Sequence, residues 1–470
     1  MGAERYKLVI IGSGFAAVAL MLHLFRQDSA YAGSLAVIGP APLGGGGAYH
    51  TAHPDFRLNV RAELMRLYED EEQNFARWAD SNLSDPQAAT PQGQFFRRHD
   101  FHRYLLAECE RMNVSDKSIH IDDMAVSVTP PASQPEGVWQ IECRSGRTFW
   151  AEKIVLATGN PPPRWPCQTD AGLSFHSGLV EQPWQGEWCQ AVSADDTVCL
   201  VGGGLTAMDS LHCLERQGHR GDIYLVSPVG MLPPVQTGWT AQPAAQWPEP
   251  PLRPSQFLSF MRSHLAQARS TTSEMSEPDG SEAEWVHTAW QEQFESLRIG
   301  VNRHWRALSP AHKRQLMRHL GGMWMLARFR AAPQTMASAE ILRDTGQLSI
   351  LTDRVTCLSA QKDRIKVTLS SAGSLVADHV INCSGSAADS LCHYLISEGH
   401  AKPCAFGIGV EVDDALRVKN SHGHIYSDLF ALGAMIRTSY GDVVGAGTIA
   451  TQARGLAAHL SSIARSDTSG

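Results

Sequence analysis

The chain reads as an α/β protein built on two Rossmann-like domains, the second inserted into the first, with a helical cap added. Three observations predict this. KLVIIGSGFAAVAL, Lys7–Leu20, is an apolar strand followed by a glycine turn and a helix. TVCLVGGGLTAMDSL, Thr197–Leu211, repeats that pattern far down the chain. Later still, VINCSGSA echoes IVLATGNP as a strand ending in a small-residue turn, which reads as an interrupted domain being resumed.

In chain order, Leu8–Ile11 is apolar on both faces, as a central parallel strand should be. Helix Ala16–Arg26 and strand Leu35–Ile38 follow. GPAPLGGGGAYHTAHPDFRLNVRAEL is too rich in glycine and proline for regular structure. Asp100–Met112 has the spacing of an amphipathic helix, and strand Ile154–Ala157 runs into Thr158-Gly159. The second unit opens with strand Thr197–Val201, helix Thr206–Gln217 and strand Ile223–Ser227. A proline-rich crossing, AQPAAQWPEPPLRP, leads to the Ser/Glu stretch ARSTTSEMSEPDGSEAE, which has the composition of a disordered segment. Residues 296–332 read as helical, with eight Lys/Arg and no Asp/Glu. Strands return in HVINCSGSAAD and HIYSDLFALGAM, and helix Ala450–Ile463 closes the chain. The predicted division is 1–163 and 164–250 for the first parts of the two domains, 251–340 for the cap, and 341–470 for the return of both.

Composition narrows the function classes. With 470 residues, 43% hydrophobic and 19% charged, the chain has the make-up of a globular protein of two or three domains. A net charge of −8 lacks the basic surplus of a nucleic-acid binder. No apolar run approaches the roughly 20 residues of a membrane span. The first strand begins too early to leave room for a cleaved signal peptide, so a cytoplasmic location is expected. The ten cysteines are scattered and form no C-x-x-C pair, which removes the usual redox and zinc spacings. They read as small buried hydrophobes in a reducing compartment. His304, His312 and His319 have no carboxylate in their segment, so no metal is expected.

The glycine turns carry the chemistry. A helix N-terminus offers free N–H groups and positive dipole to a pyrophosphate. In Gly12-Ser13-Gly14-Phe15-Ala16-Ala17, Gly12 permits the tight bend, Gly14 lets the phosphates approach, and Ala17 lets the helix lie close on the strand. Gly202-Gly203-Gly204-Leu205-Thr206-Ala207 holds the equivalent places. Two such turns, each between a strand and a helix, predict two dinucleotides. A protein that holds two commonly passes electrons between them, typically from a nicotinamide to a flavin. FAD in the first turn and NADPH or NADH in the second is the expectation.

Longer stretches carry a resemblance. GGGGAYHTAHPDFRLNVRAELM, FFRRHDFHRYL, VGGGLTAMDSLHCLERQGHRGDIYLVSPVGMLPP, HWRALSPAHKRQLMRHLGGMWMLARFRAAP and ALGAMIRTSYGD…ATQARGLAAHL resemble the bacterial FAD/NAD(P)-binding proteins. These are two-dinucleotide-binding-domain flavoproteins related to the class B flavin monooxygenases. The resemblance implies that Tyr49, Asn59, Val60, Arg61 and Met65 lie toward the flavin, with Thr158-Gly159 as the crossover from the FAD domain. It implies a monooxygenase: NAD(P)H reduces the flavin, O2 gives a C4a-(hydro)peroxyflavin, and a small amine or amino-acid-like substrate is N-hydroxylated. Asn59 has the donors and acceptor to hold a flavin carbonyl or a nicotinamide amide. His53 would handle a proton. Asp442 stands near where relatives show a Trp-Glu pair. The basic residues of 296–332 would suit an anionic substrate, or form the solvated face of the cap. A reductase without oxygen insertion and a non-catalytic flavin-binding regulator are the alternatives. Two departures stand out. Gly39-Pro40 replaces the acidic residue that ends the second strand, and Pro228-Val229 replaces arginines suited to a 2′-phosphate. Only Arg216 and Arg220 remain as nearby cations. No feature of the sequence sets an oligomeric state.

Overall fold

The computed structural model describes residues 4–467 apart from 28–29, 52, 72, 132–137, 273–281, 372, 386–388 and 443. The chain begins with strand β1 (Arg5–Ile11), helix α1 (Phe15–Gln27) and strand β2 (Leu35–Ile38). Helix α2 (Arg98–Arg111) and strands β3 (Ser118–Ile121) and β4 (Thr148–Leu156) follow. The second domain supplies β5 (Val198–Val201), α3 (Leu205–Arg216) and β6 (Ile223–Ser227). Helices α4 (Pro254–Thr272), α5 (Glu282–Ala307) and α6 (Pro310–Arg328) form the cap. Helix α7 (Pro333–Asp344) and strands β7 (Leu348–Thr352) and β8 (His379–Asn382) lead back to β9 (Ile425–Ala431) and α8 (Ala446–Asp467).

The first sheet has the parallel order β3-β2-β1-β4-β9. Its register runs from Ile11 to Ile38 on one side and from Ile11 to Leu156 on the other. Leu429 then pairs with Ile154, so a strand from the end of the chain completes a sheet begun at its start. The second sheet lies between these in sequence. Its parallel order places β8 beside β5, then β6, then β7, with strand Leu179–Val180 beyond β8. This is the inserted topology expected from the sequence. One reading changes: VINCSGSA belongs to the second sheet, as β8, and the first sheet resumes only at β9.

The cores follow from the patterning. Phe15–Phe25 of α1 are all buried, because the helix lies between the first sheet and α8 and needs an apolar surface all round. The second core gathers Val198, Leu200, Ala207, Leu211, Ile223 and Leu225, with Ala339 and Leu342 of α7 packed on α3. A third cluster joins the back of the second sheet to the antiparallel strands Val355–Gln361, Arg364–Leu369 and Ser374–Ala377. The cap has its own core of Phe257, Met261, Leu297, Val301 and Leu316. The Ser/Glu stretch expected to be irregular is helical at both ends, up to Thr272 and from Glu282, and residues 273–281 lie outside the described residues.

Candidate dinucleotide and flavin site

The two glycine turns have matching backbones. Gly12 has φ +116°, and a Cβ built on it would lie 2.1 Å from the Ala157 carbonyl oxygen. Gly202 has φ +113°, and its Cβ would lie 2.4 Å from the Cys383 carbonyl oxygen. Only glycine fits either place. The Gly12 N–H donates to Ile38 O at 2.7 Å and the Gly202 N–H to Val226 O at 2.8 Å. Ala157 N–H donates to Ile11 O and Cys383 N–H to Val201 O, at 2.7 and 2.8 Å. Thus IVLATG and VINCSG do the same job in different domains, buttressing the first glycine of each turn. Ala17 and Ala207 are fully buried where each helix meets its sheet.

The first turn is wrapped by its own domain. The Ser13 hydroxyl donates to Pro40 O, and Gly44 N–H donates to Ser13 O at 2.7 Å. Gly14 and Gly46 approach so closely that a Cβ on Gly46 would lie 3.1 Å from the Gly14 Cα. Tyr49 holds this loop down by packing edge-on against Phe15 at 6.1 Å and Phe101 at 4.9 Å. Burial pushes its phenol up to about 12, so it stays protonated. Gly433, at the end of β9, lies against Ala16. Beside it a small cleft is lined by Thr158, Gly159, Ile408, Met435 and Arg437. The buried Thr158 hydroxyl has no hydrogen-bond partner among the described residues. Gly433 and Arg437 were missed in the sequence, though ALG directly after an apolar strand is the same signal as ATG.

Gly39 explains the missing acidic residue. A Cβ there would lie 2.6 Å from the Ser13 amide nitrogen, so no side chain fits at the end of β2. The nearest acid on the adjoining strand end is Asp122, just past β3, whose Oδ1 accepts from the Ala41 N–H at 3.1 Å.

The second turn is bare. A Cβ on Gly204 would meet nothing within 4 Å, and Leu205 and Thr206 are half-exposed. Gly203 lies under the loop after β6, 3.2 Å from Met231 O and Ser227 Oγ by its built Cβ. Arg216 and Arg220 do not serve this turn. They lie at or beyond the far end of α3, roughly 18 Å along a 12-residue helix, and Arg220 pairs with Asp195 at 2.9 Å.

Other expected site residues are placed as follows. Asn59 and Val60 are half-buried, and Met65 is buried in the first core. Arg61 is buried, donates to Trp239 O at 2.6 Å and lies over the Trp239 ring at 4.9 Å, so it holds the segment that leads into the crossing. His53 is buried between Phe56 and Cys213 with both ring nitrogens engaged: Asp55 N–H donates to Nδ1, and Nε2 is 3.2 Å from Cys213 Sγ. Asp442 bridges two cap arginines, 2.7 Å from Arg298 Nε and 2.9 Å from Arg328 Nε. Burial alone would raise its pKa, but Arg328 and Arg298 outweigh that and hold the carboxyl below its usual range. Arg330 is buried against Glu295 at 3.0 Å and over Trp290, and burial lowers its pKa to about 10. The basic segment is therefore no uniform solvated face, because Arg298 and Arg328 lie in the seam between cap and first domain and Arg330 is buried within the cap.

Residues 9–161 match the model of an FAD-NAD(P)-binding family. No curated protein matches the chain in sequence. Among solved structures, the ornithine N-hydroxylase of Kutzneria sp. 744 is 15% identical, with 98% of this chain and 100% of that chain covered and a TM-score of 0.63. The cadaverine monooxygenase of Erwinia amylovora is 10% identical, with 96% and 93% covered and a TM-score of 0.62. The bacillithiol disulfide reductase of Bacillus cereus is 12% identical, with 98% and 99% covered and a TM-score of 0.54. The fold is that of the two-dinucleotide-binding-domain flavoproteins.

The cysteine expectation needs correction. Cys189 and Cys213 are joined as a disulfide, although no spacing in the sequence signals it. The other eight are free, six of them buried, as expected of small apolar side chains. Among the described residues no helix is long and apolar enough to cross a membrane.

Proposed function

We propose that the protein is an FAD-dependent NAD(P)H oxidoreductase, a monooxygenase that N-hydroxylates a small amine or amino-acid-like substrate with O2. The observation that carries the reading is the pair of geometrically matched turns, one roofed by its own domain and the other open. A roofed turn suits a resident cofactor, and an open turn suits a nucleotide that enters and leaves at each cycle. The similar solved structures include an ornithine N-hydroxylase and a cadaverine monooxygenase, and both align better than the disulfide reductase. The residues fit FAD: Gly12 makes the bend, Gly14 leads into α1, which starts at Phe15 and whose first-turn N–H groups have no partner within the helix, the unpartnered Thr158 hydroxyl lines the cleft, and Asp122 is the acid beside the end of β2.

When bound, FAD supplies hydride acceptance from the nicotinamide and the subsequent reaction with O2. The chain does the rest. The Gly44–Tyr49 loop and Phe101 keep water from the phosphate turn. Asn59, between the buried Leu58 and Arg61, would offer its amide to the flavin ring, as the resemblance implies. Arg61 and Trp239 tie down the segment that leads into the crossing, while Asp442 and its two arginines hold the cap. His53 and Asp442 are proposed as positioning groups, since both are fully engaged by protein neighbours. The division at 163, 250 and 340 and a cytoplasmic location belong to the same proposal, with α7 counted to the second domain because it packs on α3.

Anaerobic titration with NADH and then NADPH, following the flavin's visible band, tests the reading. Bleaching is expected, followed on admitting air by oxygen uptake matched by hydroxylated product. A flavin that neither nucleotide bleaches refutes it, and uptake recovered wholly as H2O2 with every amine tried refutes the oxygen-insertion step.

A further inference from the structure

The disulfide between Cys189 and Cys213 lies in the seam between the two domains. Cys189 is on the short 3-10 turn Glu187–Ala191, Cys213 is on α3, and both are fully buried, with Cα atoms 6.7 Å apart. From the first domain, His53 comes to within 3.2 Å of Cys213 Sγ through Nε2. Its tautomer follows from its other nitrogen: the Asp55 N–H donates to Nδ1 at 3.2 Å, so the neutral ring carries its proton on Nε2, aimed at the sulfur. Glycine makes this approach possible, because a Cβ on Gly186 would lie 2.3 Å from the His53 Cβ. A disulfide that merely closes a loop has no need of a hydrogen-bond donor on one sulfur. A pair that opens does, since a leaving thiolate is stabilised by an N–H directed at it.

The same seam seats the glycine-rich loop of the first domain. Thr51 Oγ1 donates to Gln185 O at 3.3 Å, and Gly47 lies under the Trp184 ring, which a Cβ there would meet at 3.3 Å. The disulfide thus fastens to α3 the segment on which that loop rests.

We propose that Cys189 and Cys213 are a reversible dithiol–disulfide pair, with His53 stabilising the Cys213 thiolate, and that the state of the pair sets how firmly the glycine-rich loop is seated. The electron donor is a dithiol. One of its thiolates attacks Cys189 Sγ, and the S–S electron pair leaves on Cys213. The second thiol then displaces Cys189 from the mixed disulfide. The products are two protein thiols, which receive the donor's two protons, and the donor's disulfide; a disulfide oxidant reverses the exchange. Both sulfurs are buried, so exchange requires the seam to part. The link from loop seating to flavin retention rests on the function proposed above, whereas the chemistry of the pair does not.

The test uses the full chain equilibrated in mixtures of reduced and oxidised dithiothreitol, quenched in acid, unfolded, alkylated and mapped by peptide mass spectrometry. Cys189 and Cys213 are expected to titrate together while the other eight are alkylated in every mixture. His53→Ala is expected to slow reduction by about tenfold, with partial rescue in His53→Gln, which restores an N–H donor. Reduction of the wild-type protein is expected to speed flavin release several-fold. Alkylation of both cysteines in fully oxidised buffer overturns the proposal, and so does a bond that reduces only after denaturation. His53, Cys189 and Cys213 also bring three soft donor atoms within 4.8 Å of one another, so one equivalent of zinc in the isolated protein, lost in Cys213→Ser, overturns it in favour of a metal site. Titration of the pair with flavin release unchanged overturns the coupling. A protein that binds no flavin at all refutes the proposed function and leaves the pair's chemistry standing.

Discussion

At the first glycine turn Gly14 lies under Gly46, Ser13 is buried, and Tyr49 clamps the covering loop, whereas at the second Gly204 faces open space between half-exposed neighbours. The strand ends behind them are superposable in their hydrogen bonding, Ala157 doing for Gly12 what Cys383 does for Gly202. The same turn can therefore hold a ligand for many cycles or for one, depending on what the rest of the domain lays across it. The covering loop distinguishes them, and the turn itself does not.

Replacing the first glycine of either turn gives the largest effect. Gly12→Ala forces a Cβ into the Ala157 carbonyl at a φ that L residues avoid, at the centre of the first sheet. Loss of soluble, flavin-bound protein is expected, with destabilisation of about 4 kcal/mol or more. Gly202→Ala forces a Cβ into the Cys383 carbonyl at φ +113° and should be destabilised by a similar amount; a Gly202→Ala variant that melts with the wild type would break the equivalence of the two buttresses.

Next in size is the cap. Asp442→Asn leaves the buried Arg328 without its paired carboxylate and Arg298 with Glu295 alone, at a cost of about 3–5 kcal/mol. Because the folded carboxyl is held below its unfolded range near 4, its stabilisation is complete above that value and drains away as pH falls through the lower folded value. Thermal melts of wild type and Asp442→Asn should therefore differ most from pH 5 to 8 and converge in stronger acid. Convergence on the alkaline side would reverse the assigned sign.

The roof offers a finer contrast. Gly46→Ala, at φ +50° and pressed on Gly14, should weaken flavin binding by about tenfold while leaving the KM for nucleotide unaltered. Gly204→Ala has room in the protein and an ordinary φ, so its melting temperature should not move, and its nucleotide KM should rise instead. Equal effects of both variants on flavin retention would erase the distinction between roofed and open turns. The smallest effect belongs to Asp122→Asn, which should lower FAD affinity by about threefold in fluorescence titration through one weakened acceptor.

What was legible in the sequence was local. An apolar strand, a glycine with positive φ and a small residue two-thirds of a turn into a helix leave a signature within fifteen positions, so the ends of β1-α1 and β5-α3 were read to within one residue, except that β1 starts three residues earlier, at Arg5. The insertion was legible too, although VINCSGSA was read as the first domain resuming when it is the buttress of the second turn. The remainder depends on contacts that no local pattern encodes. Asp442 finds Arg298 and Arg328 across the cap seam, Gly39 is required by the amide of Ser13, and Cys189 meets Cys213 only because α3 packs on the turn before it. Only the two ends of the Ser/Glu stretch depart from the reading by composition, since helix ends tolerate serine and glutamate when the body of the helix packs; residues 273–281 lie outside the described residues.

The closing strand β9 has a consequence for synthesis. Ile154 cannot meet Leu429 until nearly all of the chain has left the ribosome, and α1 waits equally long for α8 to cover its outer face. The second domain, whose strands fall between residues 179 and 382, is complete well before then. The part of the protein made first is thus the part finished last, holding an exposed apolar helix and an open sheet edge in the meantime. A chain cut short after β8 would keep its inserted domain and lose the one in which it began.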